Sequence, residues 1–215
     1  MAPPEDAPPE VTALQELCRE LTERLGLLGA AVNLTSGQGS AGVLAASDDR
    51  IRQLDEIQFS AGEGPCYDAV QWSRPVLTSD LAADGIARWP GYTSTAIAAG
   101  VCAVFAFPLQ AGAMCLGVMD VYAAESGSLS HDQLATALRF ARRATAILID
   151  GGPALGDTID FRAEIYQAQG VIMVARSEGA AEALARMRAH AFAHDLPLLT
   201  LALAILGGHE SLEDE

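Results

Sequence analysis

Val101-Cys-Ala-Val-Phe-Ala-Phe-Pro-Leu109 and Met114-Cys-Leu-Gly-Val-Met-Asp-Val-Tyr122 are two apolar runs joined by Gln110-Ala-Gly-Ala113. Short apolar runs around a glycine-bearing link read as the two strands of a β-hairpin. Upstream, Ala30–Leu34 and Gly42–Ala46 form a second such pair around Thr35-Ser-Gly-Gln-Gly-Ser40, and Pro75–Thr78 is a further strand candidate. Pro65–Ser73 and Gly91–Ala99 read as short helices. Hairpins interleaved with a few helices predict an α+β domain with a central antiparallel sheet and flanking helices.

Working outward, Leu14, Leu17, Leu21, Leu25 and Leu28 recur at three- and four-residue spacing, which predicts an amphipathic helix over 11–28. Its leucine face suits core packing or a dimer seam equally. Residues 1–10 hold four Pro and three acids and read as a disordered tail. Ser130-His-Asp-Gln133 has the form of a capping box, and the helix it opens runs past Leu148 to Gly151-Gly152-Pro153. That stop is the expected domain boundary. Beyond it a different pattern begins: a long helix over 158–175, a second opened by Gly179 or Ser177 and ending at His194, and a third with Pro197 just inside its start and Gly207-Gly208 past its end. The expected plan is a tail (1–10), an α+β domain (11–152), an all-α three-helix domain (153–208) and an acidic tail (209–215).

Composition narrows the function classes. The formal charge is −15, and all thirteen basic residues are Arg. Residues 1–156 carry nine Arg against eighteen acids, and residues 157–215 four against ten, so neither part is a basic module. A nucleic-acid contact therefore has to come from a local patch acting against the overall field. No apolar run is long enough to span a membrane and no secretory leader is evident, so a cytoplasmic location is expected. Cys18, Cys66, Cys102 and Cys115 include no close pair, which suits reduced thiols.

Two segments carry resemblances. Gly62-Glu-Gly-Pro-Cys66-Tyr-Asp-Ala69, with Arg74-Pro-Val76, Asp80-Leu81, Trp89-Pro90, Gly100-Val101, Phe105–Leu109 and Leu116–Tyr122, resembles a GAF domain over about residues 11–150. Arg162, the run Ile165-x-x-Ala-x-Gly-x-x-Met173, Ala183-Leu184, Met187-Arg188, Ala191 and Leu196-Pro197-Leu198 leading to Ala202 resemble an ANTAR domain. GAF followed by ANTAR is an architecture of actinobacterial transcription antitermination regulators. The resemblance implies a GAF sensor domain, a homodimer, and ANTAR modules that hold paired hairpins of an mRNA leader. Unstacked loop bases are readable by a small helical surface, and two linked modules gain affinity through effective concentration. A small-molecule ligand of the GAF domain is possible within that family. The sequence requires no cofactor and names none.

Candidate RNA contacts are Gln167 and Gln169, by hydrogen bonding to a base edge, and Arg176 and Arg188, by phosphate or base contact. The bland alternatives are a helix C-terminal charge for Arg176 and a surface ion pair with Glu182 or Asp195 for Arg188. Gly170, in mid-helix at a cost of about 1 kcal/mol against Ala, implies close helix packing. Candidate GAF-pocket residues are Cys66, Trp89 and Phe105, each of which also reads as ordinary core. Cys66, at a helix N-terminus, further admits a thiol redox enzyme as a third function class, although the spacing of the cysteines does not reproduce the arrangement of GAF-type methionine sulfoxide reductases. No catalytic constellation is evident, so no enzyme is expected. His190 and His194 share a helix face but lack further ligands at metal spacing, so no metal is expected. One departure from ANTAR relatives stands out. Leu198-Leu-Thr-Leu-Ala-Leu-Ala-Ile-Leu206 lacks the Arg or Lys and the acid usual near its start, and Gln169 replaces a frequent Lys. A helix apolar all round is expected to be buried, here against a second protomer or the GAF domain. This leaves a second class of function, a sensing or dimerisation protein whose helical module binds protein.

Overall fold

The computed structural model describes residues 8–35, 40–152, 155, 163–210 and 212. The chain divides into two compact units, one up to residue 159 except 60–62, the other comprising 60–62 and the residues from 160 onward.

In the first unit, α1 (Pro9–Leu25) leads into the hairpin β1 (Gly29–Thr35) and β2 (Ser40–Ala46). Then come α2 (Asp49–Ala61), α3 (Pro65–Trp72), β3 (Val76–Thr78), α4 (Leu81–Asp84), α5 (Pro90–Ala98), the hairpin β4 (Ala103–Ala111) and β5 (Met114–Ala123), and α6 (His131–Gly151). The five strands form one sheet in the order β2-β1-β5-β4-β3, with every pairing antiparallel. This is the α+β sheet expected from the two hairpins.

Strand alternation sorts the side chains onto two faces. Ala103, Phe105, Phe107 and Leu109 of β4, with Met119, Val121 and Ala123 of β5, join the leucines of α1 and Phe140, Ala144 and Leu148 of α6 in one apolar core. The intervening Val104, Ala106, Val118, Asp120 and Tyr122 are equally buried but belong to the opposite face. The Ser130 capping box forms as expected. The Ser130 hydroxyl accepts the Gln133 N–H, and the Gln133 carbonyl accepts the Ser130 N–H.

Several expectations need correction. Helix α1 stops at Leu25, because Gly26 adopts a left-handed conformation (φ 63°) and its N–H closes on Thr22 and Glu23. Leu28 therefore lies beyond the helix, where its N–H donates to the Tyr122 carbonyl. Pro9 and Glu10, assigned to the tail, open α1 instead; residues 1–7 of that tail lie outside the described residues. Helices α2 and α4 were not anticipated from the sequence. Arg162, residues 158–161, Pro153 and most of the hairpin link at 36–39 also lie outside the described residues, as do 211 and 213–215 of the acidic tail.

The second unit contains three helices, α7 (Ala163–Arg176), α8 (Ala180–Ala193) and α9 (Leu198–Leu206). Glu182 accepts the N–H of Gly179, the residue that caps α8. Pro197 occupies the N-cap position of α9, one residue ahead of its expected place. Ile165, Ala168 and Ile172 of α7, Ala183, Met187 and Ala191 of α8, and Leu198, Leu201, Ala202 and Ile205 of α9 are buried. One expectation fails here. A Cβ on Gly170 would meet nothing within 4 Å, so close packing within the chain does not demand glycine. Helix α9 is buried on one side, and its other side is the surface for which a second protomer or the GAF domain was expected. Leu203 is 53% exposed and Leu199 39%, alongside Val174 at 83% on α7 and Phe192 at 75% on α8.

Candidate functional site

The segment 62–66 acts as a structural junction. Gly62 (φ 71°) and Gly64 (φ 137°) take conformations that side-chain-bearing residues avoid, and Pro65 opens α3. Gly64 also lets the Gln58 side chain approach, since a Cβ there would stand 2.6 Å from Gln58 Oε1. Between the two glycines, Glu63 accepts the N–H groups of Gly91 (2.6 Å) and Tyr92 (3.1 Å), placing a carboxylate on the N-terminus of α5. The Cys66 N–H donates to Gln58 Oε1 at 2.8 Å. The segment thus ties together α2, α3 and α5 beside one sheet face.

On that face lies a buried polar cluster. Gln58 Nε2 donates to Asp120 Oδ2 and to the Tyr122 hydroxyl, both at 3.2 Å. The Tyr122 hydroxyl donates to Asp55 Oδ1 at 2.6 Å, and Asn33 Nδ2 donates to Asp120 Oδ2 at 3.1 Å. Asn33, Asp55, Gln58, Tyr92, Asp120 and Tyr122 are all buried. Burial is the largest cause holding the Asp120 carboxyl well above the usual carboxylate range. The neighbouring Asp55 charge and a hydrogen bond with Asp55 add to it, against opposing bonds from Gln58 and Asn33. Burial followed by the Asp120 and Asp55 charges pushes up the Tyr92 phenol, and burial followed by Asp55 pushes up Tyr122. Two carboxyl groups this close share proton binding as a pair.

The cluster is not internally satisfied. Apart from the bond that Asp120 shares with Asp55, Asn33 Oδ1, Asp120 Oδ1 and the Tyr92 hydroxyl have no hydrogen-bond partner among the described residues, and the buried Thr78 and Thr93 hydroxyls on β3 and α5 have none either. An unsatisfied buried polar group costs about 1–3 kcal/mol, so such a concentration asks for a functional reason.

The expected pocket residues separate around this site. Cys66 is buried beside it through its Gln58 bond. Trp89 is buried at the N-cap of α5, edge-on to Tyr92 with ring centroids 6.4 Å apart, with the Arg88 guanidinium 4.0 Å over its ring. Phe105 belongs to the opposite core with α1 and α6, so it is a packing residue and not part of this site. Sequence reasoning singled out none of Asn33, Asp55, Gln58, Tyr92, Asp120 or Tyr122 as a site residue, although Asp120 and Tyr122 stand in a run that carries the GAF resemblance. One signal was available: Asp120 is a lone acid inside an apolar strand, which is costly unless partnered.

Two open cavities lie elsewhere on this unit. One, of about 480 Å³, is lined by Gln15, Arg19, Asp48, Arg50 and Arg52 among others. The other, of about 540 Å³, is lined by Leu34, Val70, Met114, Cys115 and Leu148 among others. Burial raises the Cys115 thiol against two backbone hydrogen bonds, and lifts the Cys18 thiol to about 12, which disfavours thiolate chemistry at both.

Residues 8–149 match the family model of the GAF domain. The chain belongs to the GAF domain family. Among solved structures, the GAF unit is similar in fold to the GAF domain of an Acinetobacter phosphoenolpyruvate-protein phosphotransferase (12% identity, TM-score 0.52, 71% of this chain and 89% of that one). It is also similar to the GAF domain of the cyanobacteriochrome TePixJ (16%, 0.51, 68% and 92%). A third similar structure is a type II free methionine-R-sulfoxide reductase from Thermoplasma acidophilum (14%, 0.51, 66% and 93%). At such identities the likeness is one of fold, and these relatives differ widely in what they do. No curated protein matches the chain in sequence.

The four expected RNA contacts lie on the first two helices of the three-helix unit. Gln167 is exposed on α7, and Arg188 is half-buried on α8. Gln169 donates to the Ala180 carbonyl, and Arg176 donates through a terminal nitrogen to the Leu212 carbonyl at 2.7 Å. Both of these side chains therefore serve internal bonds. His190 and His194 stack with ring centroids 4.1 Å apart, and His190 Nε2 lies 3.6 Å from Glu210 Oε1. Among the described residues no group of three His, Cys, Asp or Glu could hold a metal ion, and no single helix is long and apolar enough to cross a membrane.

Proposed function

We propose that this chain is a two-part regulator. The GAF unit receives a signal, and the three-helix unit, acting as a homodimer of ANTAR type, binds paired hairpins in nascent mRNA and promotes transcription antitermination. The observation that carries this reading is where the ANTAR-like positions fall. Ala168, Ala183, Met187, Ala191, Leu198 and Ala202 are all buried, spread over the three helices, which pack on one another. A signature made of small and apolar core positions is a signature of helix geometry, and that geometry is what would present Gln167 and Arg188 to RNA. In this reading the buried polar cluster on the GAF sheet face is the signal-receiving site.

The test is fluorescence anisotropy of the full chain with paired-hairpin and single-hairpin RNAs at several salt concentrations, comparing wild type with Arg188→Ala. The reading expects salt-sensitive binding, preference for paired hairpins, and loss in the variant. Absence of binding at low salt by folded protein counts against it.

A second reading has its own support. Val174, Phe192, Leu199 and Leu203 form exposed apolar surface on the three-helix unit, whose composition is acidic. Contacts of that chemistry favour a protein partner over a polyanion. Concentration-dependent assembly without RNA affinity would select this alternative.

A further inference from the structure

We propose that the buried cluster at Asn33, Asp55, Tyr92 and Asp120 binds the ammonium head of a small amine. The inference rests on reading the GAF unit as the sensing part of the chain, and it names the chemical class of what is sensed.

The argument is an inventory of donors and acceptors. The amide N–H donors directed into the cluster, Asn33 Nδ2 and Gln58 Nε2, are engaged with Asp120 and Tyr122. What remains is two acceptor-only oxygens, Asn33 Oδ1 and Asp120 Oδ1, and the Tyr92 hydroxyl, which accepts through its oxygen and also carries one O–H donor; all are buried and, apart from the Asp120–Asp55 bond, without a partner among the described residues. These groups share one neighbourhood. The Asn33 amide is bonded to Asp120, and the Tyr92 phenol feels the charges of both Asp120 and Asp55. A primary ammonium carries three N–H donors and one positive charge. It matches three unused acceptors, and its charge offsets one member of a carboxyl pair. With both carboxylates ionised and one ammonium bound, the net charge equals that of the pair sharing one proton.

Competing ligand classes fit less well. An anion would meet two carboxyl groups, and among the described residues no cationic side chain bonds to the cluster. A metal ion would find two carboxyl groups, of which Asp120 Oδ2 already accepts two amide N–H groups, and among the described residues no third acidic, His or Cys ligand completes a set. A quaternary ammonium has no N–H to give.

The experiment is calorimetric titration and thermal unfolding of the full chain with ammonium and methylammonium chloride. Sodium and tetramethylammonium chloride at equal ionic strength are the controls. The expected result is stabilisation by the first two salts beyond that of the controls. Tyr92→Phe removes an acceptor that has no partner of its own, so the unliganded variant should unfold no earlier than wild type. Its affinity for methylammonium should be about tenfold weaker, the effect of one hydrogen bond to a charged group. Equal responses to sodium and methylammonium, no response to any, or unchanged affinity in Tyr92→Phe would each overturn the proposal. None of these outcomes involves RNA, so the failure of the amine and the failure of antitermination are separately visible. Response of wild type to a ligand lacking N–H donors would keep the sensing role and reject the amine.

Discussion

The side-chain carbonyl of Gln58 accepts the backbone N–H of Cys66 at 2.8 Å. The opposite end of the same side chain donates to Asp120 and Tyr122. One amide thereby joins α2, the start of α3 and the central strand β5. Replacing it with an apolar residue of similar size leaves a buried N–H and a carboxyl oxygen with fewer partners. Gln58→Leu is expected to cost about 3 kcal/mol, from three buried hydrogen bonds lost with the Cys66 N–H left unpaired. Urea unfolding followed by tryptophan fluorescence measures it. An unchanged midpoint would mean that the network does not hold these elements together.

Asp120 sets a pH dependence whose sign follows from its raised proton affinity. In the unfolded chain an Asp loses its proton near about 3.9. In the fold Asp120 keeps it to higher pH, so the stabilisation is complete below the unfolded value and is lost as pH rises through the folded one. Wild-type stability is expected to decline over that interval. Asp120→Asn mimics the protonated group, can still accept from Asn33 and Gln58, and removes the like charge beside Asp55. The variant should show a flatter profile and gain about 1–2 kcal/mol at neutral pH. Urea midpoints across a pH series decide this, and parallel profiles for the two proteins would refute it.

The hairpins at 101–122 and 30–46 made the sheet legible, because turn residues between apolar runs leave few other ways to fold. The apolar face under α1 and α6 was equally legible from leucine spacing. The polar face was not. Helix α2 escaped notice because Asp55 and Gln58 stand on its buried side next to Ile51, Leu54 and Phe59, which blurs the amphipathic pattern. A buried polar cluster assembled from β1, α2, α5 and β5 has no local sequence signature. Its members are satisfied, or left unsatisfied, by residues as much as 87 positions away, as with Asn33 and Asp120. The 62–66 segment was recognised as distinctive but not for its reason, since Glu63 serves the N-terminus of α5 almost thirty residues later.

Gly170 offers a test free of the polar site. It lies inside α7, and a Cβ there would have open space. Gly170→Ala is expected to stabilise the three-helix unit by about 1 kcal/mol, through helix propensity and a less mobile unfolded chain. Circular dichroism melts suffice. A destabilised variant would indicate that the glycine is needed for an approach by another molecule, with RNA and a second protomer the candidates to examine.

Leu199, Leu203 and Leu206 follow one another at four- and three-residue spacing along the outer side of α9, and all three are exposed. Leucines at that spacing make the seam of a helix pair, and leaving them in water forfeits about 1.5–3 kcal/mol for each one that could be fully buried. If they are the dimer seam, Leu199→Arg with Leu203→Arg should abolish concentration-dependent association in sedimentation velocity. Because neither side chain is among the buried residues, the unfolding free energy of the monomer from urea titration should stay within about 1 kcal/mol of wild type. Paired-hairpin RNA should then bind no more tightly than a single hairpin, because the gain from two linked modules is gone. A variant that still dimerises places the seam elsewhere, with the leucine face of α1 next to be tested. A variant that loses monomer stability shows instead that this side of α9 is covered within the chain.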